Sequence, residues 1–205
     1  MYDHANLSGI AEDFMEFKSL VLKNRSYRRF DESVEICKDL LLELVELARL
    51  TPSAANLQPL KYFVSADREL NDRIFPYLNW AGYLKDWPGP GPGERPAGYI
   101  IICGDSEISK NIDCDHGIAA QTILLGAVER GLGGCMIASL DRNGLRKEIA
   151  LPEHLRILLV LALGKPAETV VLEEAGQAGI RYYRDENQVH HVPKRPLKEI
   201  VINYD

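Results

Sequence analysis

The segment from Asp113 to Arg130 constrains the fold of this chain more than any other part. It has the composition of a helix, and between Gly117 and Val128 it is almost wholly apolar. A surface helix buries one apolar stripe, whereas a helix that is apolar on all sides is covered all round. We therefore expect this helix to be buried either in the core of its own domain or in a subunit interface. Gly131 predicts its C-terminal end.

Apolar runs on both sides of this helix predict a sheet. Gly98–Gly104 is continuously apolar, which is typical of a strand that is covered on both faces. A short helix near Arg142–Ile149 separates the last two of the other predicted strands, which are Lys61–Ala66, Gly134–Ser139 and Leu155–Gly164. This order of elements predicts an α+β fold, an antiparallel or mixed β-sheet sandwiched by helices, with residues 1–205 forming a single domain.

Two helices are predicted before the first strand. One ends near Lys23 and carries an apolar stripe at i, i+4, i+7 and i+11, formed by Ile10, Phe14, Phe17 and Val21. The other covers Val34–Leu50, with Ser33 as its N-cap and Pro52 as the residue that stops it.

Two further segments are unusual for a compact monomer. Residues 71–96, called the insert below, run into the Pro-Gly-rich loop WPGPGPGERP, which excludes helix and central strand. The aromatic residues of the insert either pack it onto the sheet or form a lid over a substrate; they are Tyr77, Trp80, Tyr83 and Trp87. Residues 169–205, called the tail below, are polar and broken and have no core of their own. We expect the tail to dock on a partner subunit.

Charge and cysteine content argue against several classes of protein. The chain has 24 Lys and Arg against 30 Asp and Glu, a formal net charge of -6, whereas proteins that bind nucleic acid carry a basic surface. No apolar run approaches the roughly 20 residues that span a bilayer. The acidic N-terminal sequence lacks the pattern of a secretory signal, so we expect a cytoplasmic protein. Four widely spaced cysteines predict reduced thiols, namely Cys37, Cys103, Cys114 and Cys135.

Three short clusters carry the candidate chemistry. Arg25–Arg29 (RSYRR) places three guanidinium groups and a hydroxyl within five residues, which fits either a phosphate site or a solvated helix end. Thr51–Pro59 (TPSAANLQP) offers neutral hydrogen-bonding groups beside small alanines, which fits either the edge of a flat heterocycle or an ordinary turn. Gly131–Ser139 (GLGGCMIAS) follows a helix and precedes a strand, the reverse of the dinucleotide fingerprint, so we reject a dinucleotide site. The end of its strand leaves backbone N–H groups free to face a ligand.

Two groups of residues with metal-binding side chains are not expected to bind a metal. Asp113–His116 (DCDH) cannot direct all four side chains at one ion from a single helical turn, and its acids suit the first turn of a helix. His190 and His191 are interpreted as a pair in a strand or loop.

Taken in chain order with two further motifs, the three clusters resemble the FMN-dependent nitroreductase family. The matching motifs are R-S-x-R-x-F at Arg25–Phe30, PSAANLQP at Pro52–Pro59, DHGIAAQ at Asp115–Gln121, GLGGC at Gly131–Cys135 and LALGKP at Leu161–Pro166. The resemblance implies a nitroreductase-like fold and an intertwined homodimer with one FMN in each of two interface sites.

The resemblance also implies which residues bind FMN. Arg25, Ser26 and Arg28 would hold its phosphate and the pyrimidine edge of its ring, with Arg28 nearest the N1–C2=O side. Lys194 and Arg195 in the tail would complete the phosphate site.

Two further sets would contact the ring system. The backbone at the end of the strand that follows the glycine-rich segment would face flavin N5. This backbone consists of Ile137, Ala138, Ser139 and Leu140. The isoalloxazine and the ribityl chain would be lined, partly from the opposite subunit, by Pro52, Ser53, Ala54, Asn56 and Gln58.

The implied activity is an FMN-dependent oxidoreductase that uses NADPH or NADH. The nicotinamide passes a hydride to flavin N5, and a nitroaromatic, a quinone or a similar small acceptor is then reduced at the same open face. No side chain is required as a catalytic acid. Two alternatives stay open: a flavoenzyme of the same fold with dehalogenase or flavin-fragmenting chemistry, and a non-enzymatic flavin-binding or flavin-storage protein.

Overall fold

A computed structural model describes residues 16–177 and 179–203, and its centre is an antiparallel sheet. Strand β3 (Gly98–Asp105) is buried along its whole length and pairs with β2 (Leu60–Ser65) on one side and β5 (Leu155–Pro166) on the other. The far edge of β5 pairs with β4 (Gly133–Ile137) and, at its end, with β1 (Phe30–Asp31). The strands predicted from apolar runs are therefore confirmed.

Helices cover both faces of this sheet, which confirms the predicted α+β sandwich. Alternate residues of β3 enter two separate cores: Ile100 and Ile102 join one, and Tyr99 and Ile101 join the other. The first core packs against α2 (Lys38–Arg49) and α4 (Asp115–Glu129). The second is covered by α3 (Arg68–Ile74), α5 (Arg142–Glu148) and residues of the insert.

Helix α4 is the predicted apolar helix, but its own chain does not cover it all round. Ala120, Ile123 and Ala127 are fully buried, whereas Ile118 is 36% exposed and Gln121 is also exposed. Gly131 follows the helix at φ +72, the left-handed conformation that ends many helices. The helix was expected in the core of its domain or in a subunit interface. The core of this chain covers one side of α4 and leaves the side with Ile118 exposed.

The N-terminal helices differ from their predictions in two respects. Helix α1 covers Phe17–Lys23 and buries no residue, with Phe17 70% exposed; Ile10 and Phe14 lie outside the described residues. Helix α2 begins at Lys38 after Cys37, so the prediction of Ser33 as N-cap is wrong. The N–H and hydroxyl of Ser33 instead donate to the Asp31 carboxylate, because the short side chain closes a local turn first.

The insert and the tail contact each other, with the rings of Tyr83 and Tyr182 4.8 Å apart and the Arg184 guanidinium 4.3 Å from the centre of the Trp87 ring. After α3 and a 3₁₀ turn (Phe75–Tyr77), the insert contains no helix or strand among residues 79–97. The tail, predicted to be irregular, forms a small sheet in which β6 (Val170–Glu174) pairs parallel with β8 (His190–Lys194) and β7 (Tyr183–Arg184) pairs antiparallel with β8. Helix α6 (Leu197–Ile200) follows. Within the described ranges, no helix has the length and apolarity to cross a membrane.

Candidate functional site

Residues 24–28 and strand β8 form the walls of one pocket, called the arginine pocket below. Its volume is about 290 Å³. The turn is held against the sheet because Ser26 bridges to Gly134 of β4 and the N–H of Tyr27 donates to the Gly134 carbonyl at 3.0 Å. The pocket is lined by Asn24, Arg25, Ser26, Arg28, Tyr182, His190, Val192 and Lys194. Four residues predicted from the sequence to bind a phosphate therefore lie together: Arg25, Ser26, Arg28 and Lys194.

The two arginines of the pocket are held mainly by backbone and aromatic groups. Arg25 Nη2 donates to the Val21 carbonyl at 2.6 Å, while its Nε is buried without a partner among the described residues. Burial lowers the pKa of Arg25. Arg28 Nη1 donates to the Ser26 carbonyl at 3.1 Å, and its guanidinium lies 5.0 Å from the centre of the Tyr182 ring.

Arg29 and Arg195 do not join this pocket. Arg29 turns toward the Pro-Gly loop, where its Nε donates to Glu94 at 2.8 Å, and this bond raises the pKa of Arg29. Arg195 is half exposed and lies 3.5 Å from Glu199. In each case a nearby carboxylate offers the guanidinium a partner outside the pocket.

His190 is a pocket residue whose place in this site the sequence did not predict. It is 1% exposed, and its Nε2 lies 3.3 Å from Arg28 Nη1. Burial, with the charges of Arg28, Arg184 and His191, lowers the pKa of His190 to about 4, so the ring is neutral near pH 7. Because a guanidinium only donates, Nε2 must accept and Nδ1 must carry the proton. No sequence signal distinguishes His190 from His191 in this respect.

The second cluster forms a tight turn over residues 53–58, anchored by Asp115 at the start of α4. The hydroxyl of Ser53 donates to Asp115 at 2.6 Å and the N–H of Ala54 donates to the same carboxylate at 3.1 Å. The N–H of Gln58 donates to the Ser53 hydroxyl at 2.9 Å. Asp115 is thus a structural anchor of this turn, a role that the sequence motif DCDH did not reveal.

Three residues of the 53–58 turn have left-handed backbone conformations that are uncommon outside glycine. Their φ angles are 49° for Ala55, 54° for Asn56 and 52° for Gln58. Such conformations cost energy and often occur at ligand sites, where the surrounding contacts hold them in place.

The turn borders a different pocket, of about 430 Å³. Of the five residues predicted to line the ring, Pro52, Ser53 and Gln58 line this pocket together with Tyr62 and Asp115, while Ala54 and Asn56 are exposed nearby. Burial raises the pKa of Tyr62 to about 12, with the Asp115 charge adding to the effect. Within one chain, therefore, the first and second clusters do not share a pocket.

The third cluster ends in exposed backbone. Ile137 closes β4, and Ala138 and Ser139 that follow are exposed, whereas Leu140 is buried and bridges to Leu78. The Ser139 carbonyl accepts from the N–H of Asn79 at 3.0 Å. The N–H groups of Ala138 and Ser139 donate no hydrogen bond to another described residue, so both are available to a ligand.

The four aromatic residues of the insert lie outside the arginine pocket. Trp80 is 9% exposed and belongs to the second core, against which Tyr77 and Trp87 also pack. Gly89, at φ +116, lets the loop close over the indole, since a Cβ there would lie 2.6 Å from Trp80 Cδ1. Tyr83 is 51% exposed, and its ring lies 4.8 Å from that of Tyr182.

This chain is similar in sequence and in fold to known proteins. The sequence matches the nitroreductase family over residues 21–88 and 93–165. A protein of Methanothermobacter thermautotrophicus named "Putative NADH dehydrogenase/NAD(P)H nitroreductase" is 30% identical over 161 residues, which cover 75% of this chain and 79% of that protein. The iodotyrosine deiodinase of Thermotoga neapolitana is 24% identical over 178 residues, covering 80% of this chain and 95% of that protein.

Solved structures show the same fold. A nitroreductase family protein from Clostridium difficile 630 has a TM-score of 0.66 and 21% identity, and the alignment covers 93% of this chain and 99% of that one. An FMN-dependent nitroreductase from Clostridium difficile R20291 has a TM-score of 0.61 and 23% identity, with 91% and 98% covered. Because the family match spans well over half of the sequence and the fold agrees, this chain belongs to the nitroreductase family.

Proposed function

We propose that this protein is an FMN-dependent oxidoreductase that uses NADH or NADPH and binds the FMN phosphate in the arginine pocket. One observation carries the proposal. Arg25, Arg28 and Lys194 line the same pocket, and none of the three side chains forms an ion pair with a carboxylate in the described part of the chain. Three uncompensated cations in an acidic protein are a ready site for a dianionic phosphate.

The other groups of the pocket fit the same ligand. The buried, unpartnered Nε of Arg25 is a donor that a phosphate oxygen would satisfy. Ser26 adds a hydroxyl donor. His190 is neutral near pH 7 and adds no charge of its own, so the positive charge of the pocket comes from its arginine and lysine side chains.

The ring of FMN would extend from this pocket toward the end of β4. There Ala138 and Ser139 offer two free N–H donors to the ring. When bound, FMN supplies a ring that accepts a hydride from NADH or NADPH and delivers two electrons to a nitroaromatic, a quinone or a similar acceptor.

We further propose that the active protein is a homodimer. The 53–58 turn and the arginine pocket border different cavities of one chain, and a second chain that supplies one of them would bring both to a single FMN. The exposed Ile118 on α4 and the exposed Leu197 and Ile200 on α6 are apolar surface that such a partner would cover.

Titration of the purified protein with FMN tests the proposed cofactor. Binding should quench flavin fluorescence and raise the melting temperature, because a ligand that binds only the folded state stabilises it. Sedimentation of the complex should give the mass of two chains. Absence of both quenching and a shift in melting temperature would overturn the proposal.

A second candidate activity is reductive dehalogenation. The supporting observation is the 24% identity to an iodotyrosine deiodinase over 95% of that protein. Release of iodide from an iodophenol under anaerobic conditions, with FMN bound and dithionite as reductant, would favour this activity. Rapid reduction of nitroaromatics without iodide release would favour the first.

A further inference from the structure

We propose that Glu168 is a positioning residue that sets the shape of the arginine pocket without touching its ligand. Glu168 lies just after β5, and its side chain is 1% exposed. One carboxylate oxygen accepts from the backbone N–H groups of both Arg28 and Arg29, the latter at 3.1 Å. The other accepts from Arg184 Nη2 at 2.9 Å.

The two successive N–H bonds fix the backbone at the point where neighbouring arginines separate. On either side of this point, Arg28 turns to His190 and the pocket, and Arg29 turns to Glu94. Because both N–H groups are already used by Glu168, they cannot bind an anion in the pocket. Arg28 can therefore reach a phosphate in the pocket only through its side chain, whose direction depends on the backbone that Glu168 holds.

Arg184 neutralises this buried carboxylate and links it to the insert. The side chain of Arg184 is 8% exposed, and its guanidinium lies 4.3 Å from the centre of the Trp87 ring. Glu168 thus joins the binding turn, the tail and the insert through one group. Removal of either partner alone would leave an unpaired buried charge, which is strongly destabilising, so a clean test changes both.

The test compares two double variants that differ only at residue 168. Glu168→Leu with Arg184→Met removes the acceptor, whereas Glu168→Gln with Arg184→Met keeps an amide oxygen for the two N–H groups and serves as the matched control. The dissociation constants of FMN and of riboflavin, which lacks the phosphate, are measured by fluorescence quenching. This proposal rests on the proposed function. The unaltered protein is therefore measured alongside the variants, so that a failure of FMN binding itself can be recognised.

The Leu variant should bind FMN about tenfold more weakly, because the backbone that directs Arg28 is released and about one charged hydrogen bond to the phosphate is lost. The Gln variant should stay within about threefold of the unaltered protein, and riboflavin binding should change little in either, since the effect is confined to the phosphate side. Equal FMN affinity in both double variants, or a parallel loss of FMN and riboflavin binding, would overturn the role of Glu168.

A second measurement needs no variant. Hydrogen exchange of the unaltered protein should show slow exchange at the N–H groups of Arg28 and Arg29, and rapid exchange there would contradict the proposal. If the unaltered protein binds no FMN, the proposed function is wrong and the role of Glu168 falls with it. If it binds FMN tightly and the Leu variant binds equally well, only the role of Glu168 is wrong.

Discussion

The hydroxyl of Ser53 donates a 2.6 Å hydrogen bond to the carboxylate of Asp115, 62 residues further along the chain. Asp115 is 4% exposed and accepts a second bond from the N–H of Ala54. Through the Ser53 hydroxyl it also supports the N–H of Gln58 at the other end of the turn. One buried carboxylate therefore maintains a turn whose backbone is otherwise strained.

Replacement of this carboxylate should destabilise the protein. Asp115→Ala leaves the donors of Ser53 and Ala54 without a partner, so we expect the free energy of unfolding to fall by about 1–3 kcal/mol. Asp113→Asn is the matched control, since Asp113 is exposed and Asn also tolerates its positive φ of 45°. Urea unfolding measures both. Equal stability of Asp115→Ala and the unaltered protein would contradict the anchoring role.

Two neighbouring alanines should respond to glycine in opposite directions. Ala55 has φ 49°, so Ala55→Gly should relieve strain and raise the free energy of unfolding by about 1 kcal/mol. Ala54 does not have a positive φ. Ala54→Gly should therefore lower the free energy of unfolding by about 0.5–1 kcal/mol, because glycine gives the unfolded chain more conformational freedom. Thermal or urea unfolding of both variants gives the comparison, and a loss of stability in Ala55→Gly would show that the turn is not strained there.

Arg28 and Arg29 should differ in their effect on FMN binding although they are adjacent. Arg28→Gln removes a cation from the arginine pocket, and we expect the dissociation constant for FMN to rise roughly 10- to 100-fold, as for loss of a charged hydrogen bond. The Arg29 side chain pairs with Glu94 outside the pocket, so Arg29→Gln should change the dissociation constant for FMN by less than about threefold. Similar losses in both variants would place the phosphate elsewhere.

The adjacent histidines of β8 should give opposite pH dependences of stability. The pKa of His190 is lowered to about 4, chiefly by burial. An unfolded chain binds this proton near pH 6.5, so the stabilising contribution of neutral His190 is present above that pH and is lost as the pH falls toward 4. Hydrogen bonds to Glu173 and Asp185 raise the pKa of His191, whose contribution is present at lower pH and is lost as the pH rises through that raised value.

Melting temperatures across this pH range test both effects. His190→Gln should weaken the acid-side decrease relative to the unaltered protein, because Gln can still accept from Arg28 but does not titrate. His191→Gln should weaken the decrease on the alkaline side. If each variant shifts the whole curve without changing its slope, neither histidine titrates as described.

The strands and the central helix were predictable because their signal is local. The apolar run of Gly98–Gly104 identifies a strand covered on both faces, and the structure contains it as β3. The apolar run of Gly117–Val128 likewise identifies a buried helix, and the structure contains it as α4. Its apolar surface is larger than the area that this chain covers, since Ile118 stays exposed. Helix α2 begins later than predicted because the Ser33 hydroxyl donates to Asp31 and does not cap the helix. The sequence does not decide which of these two local hydrogen bonds forms.

The contacts that shape the candidate site could not be predicted, because they join distant residues. Glu168 lies 140 residues from Arg28, and His190 lies 162 residues from it. The composition of RSYRR does not separate Arg28 from Arg29, whose directions depend on Glu168, Glu94 and His190. Only the resemblance to the family assigned Arg28, and not Arg29, to the site. The left-handed residues of the 53–58 turn could not be predicted either, because a positive φ is expected at Gly and not at Ala or Gln.

The central claim is that the arginine pocket binds an FMN that accepts electrons from a nicotinamide. Anaerobic addition of NADH, and separately of NADPH, to the FMN-loaded protein tests it most directly, with the visible absorption of the flavin followed over time. We expect rapid loss of this absorption with at least one of the two donors and its return when a quinone or nitroaromatic is added. A bound flavin that keeps its absorption with both donors would contradict the proposed oxidoreductase and would favour a flavin-storage protein.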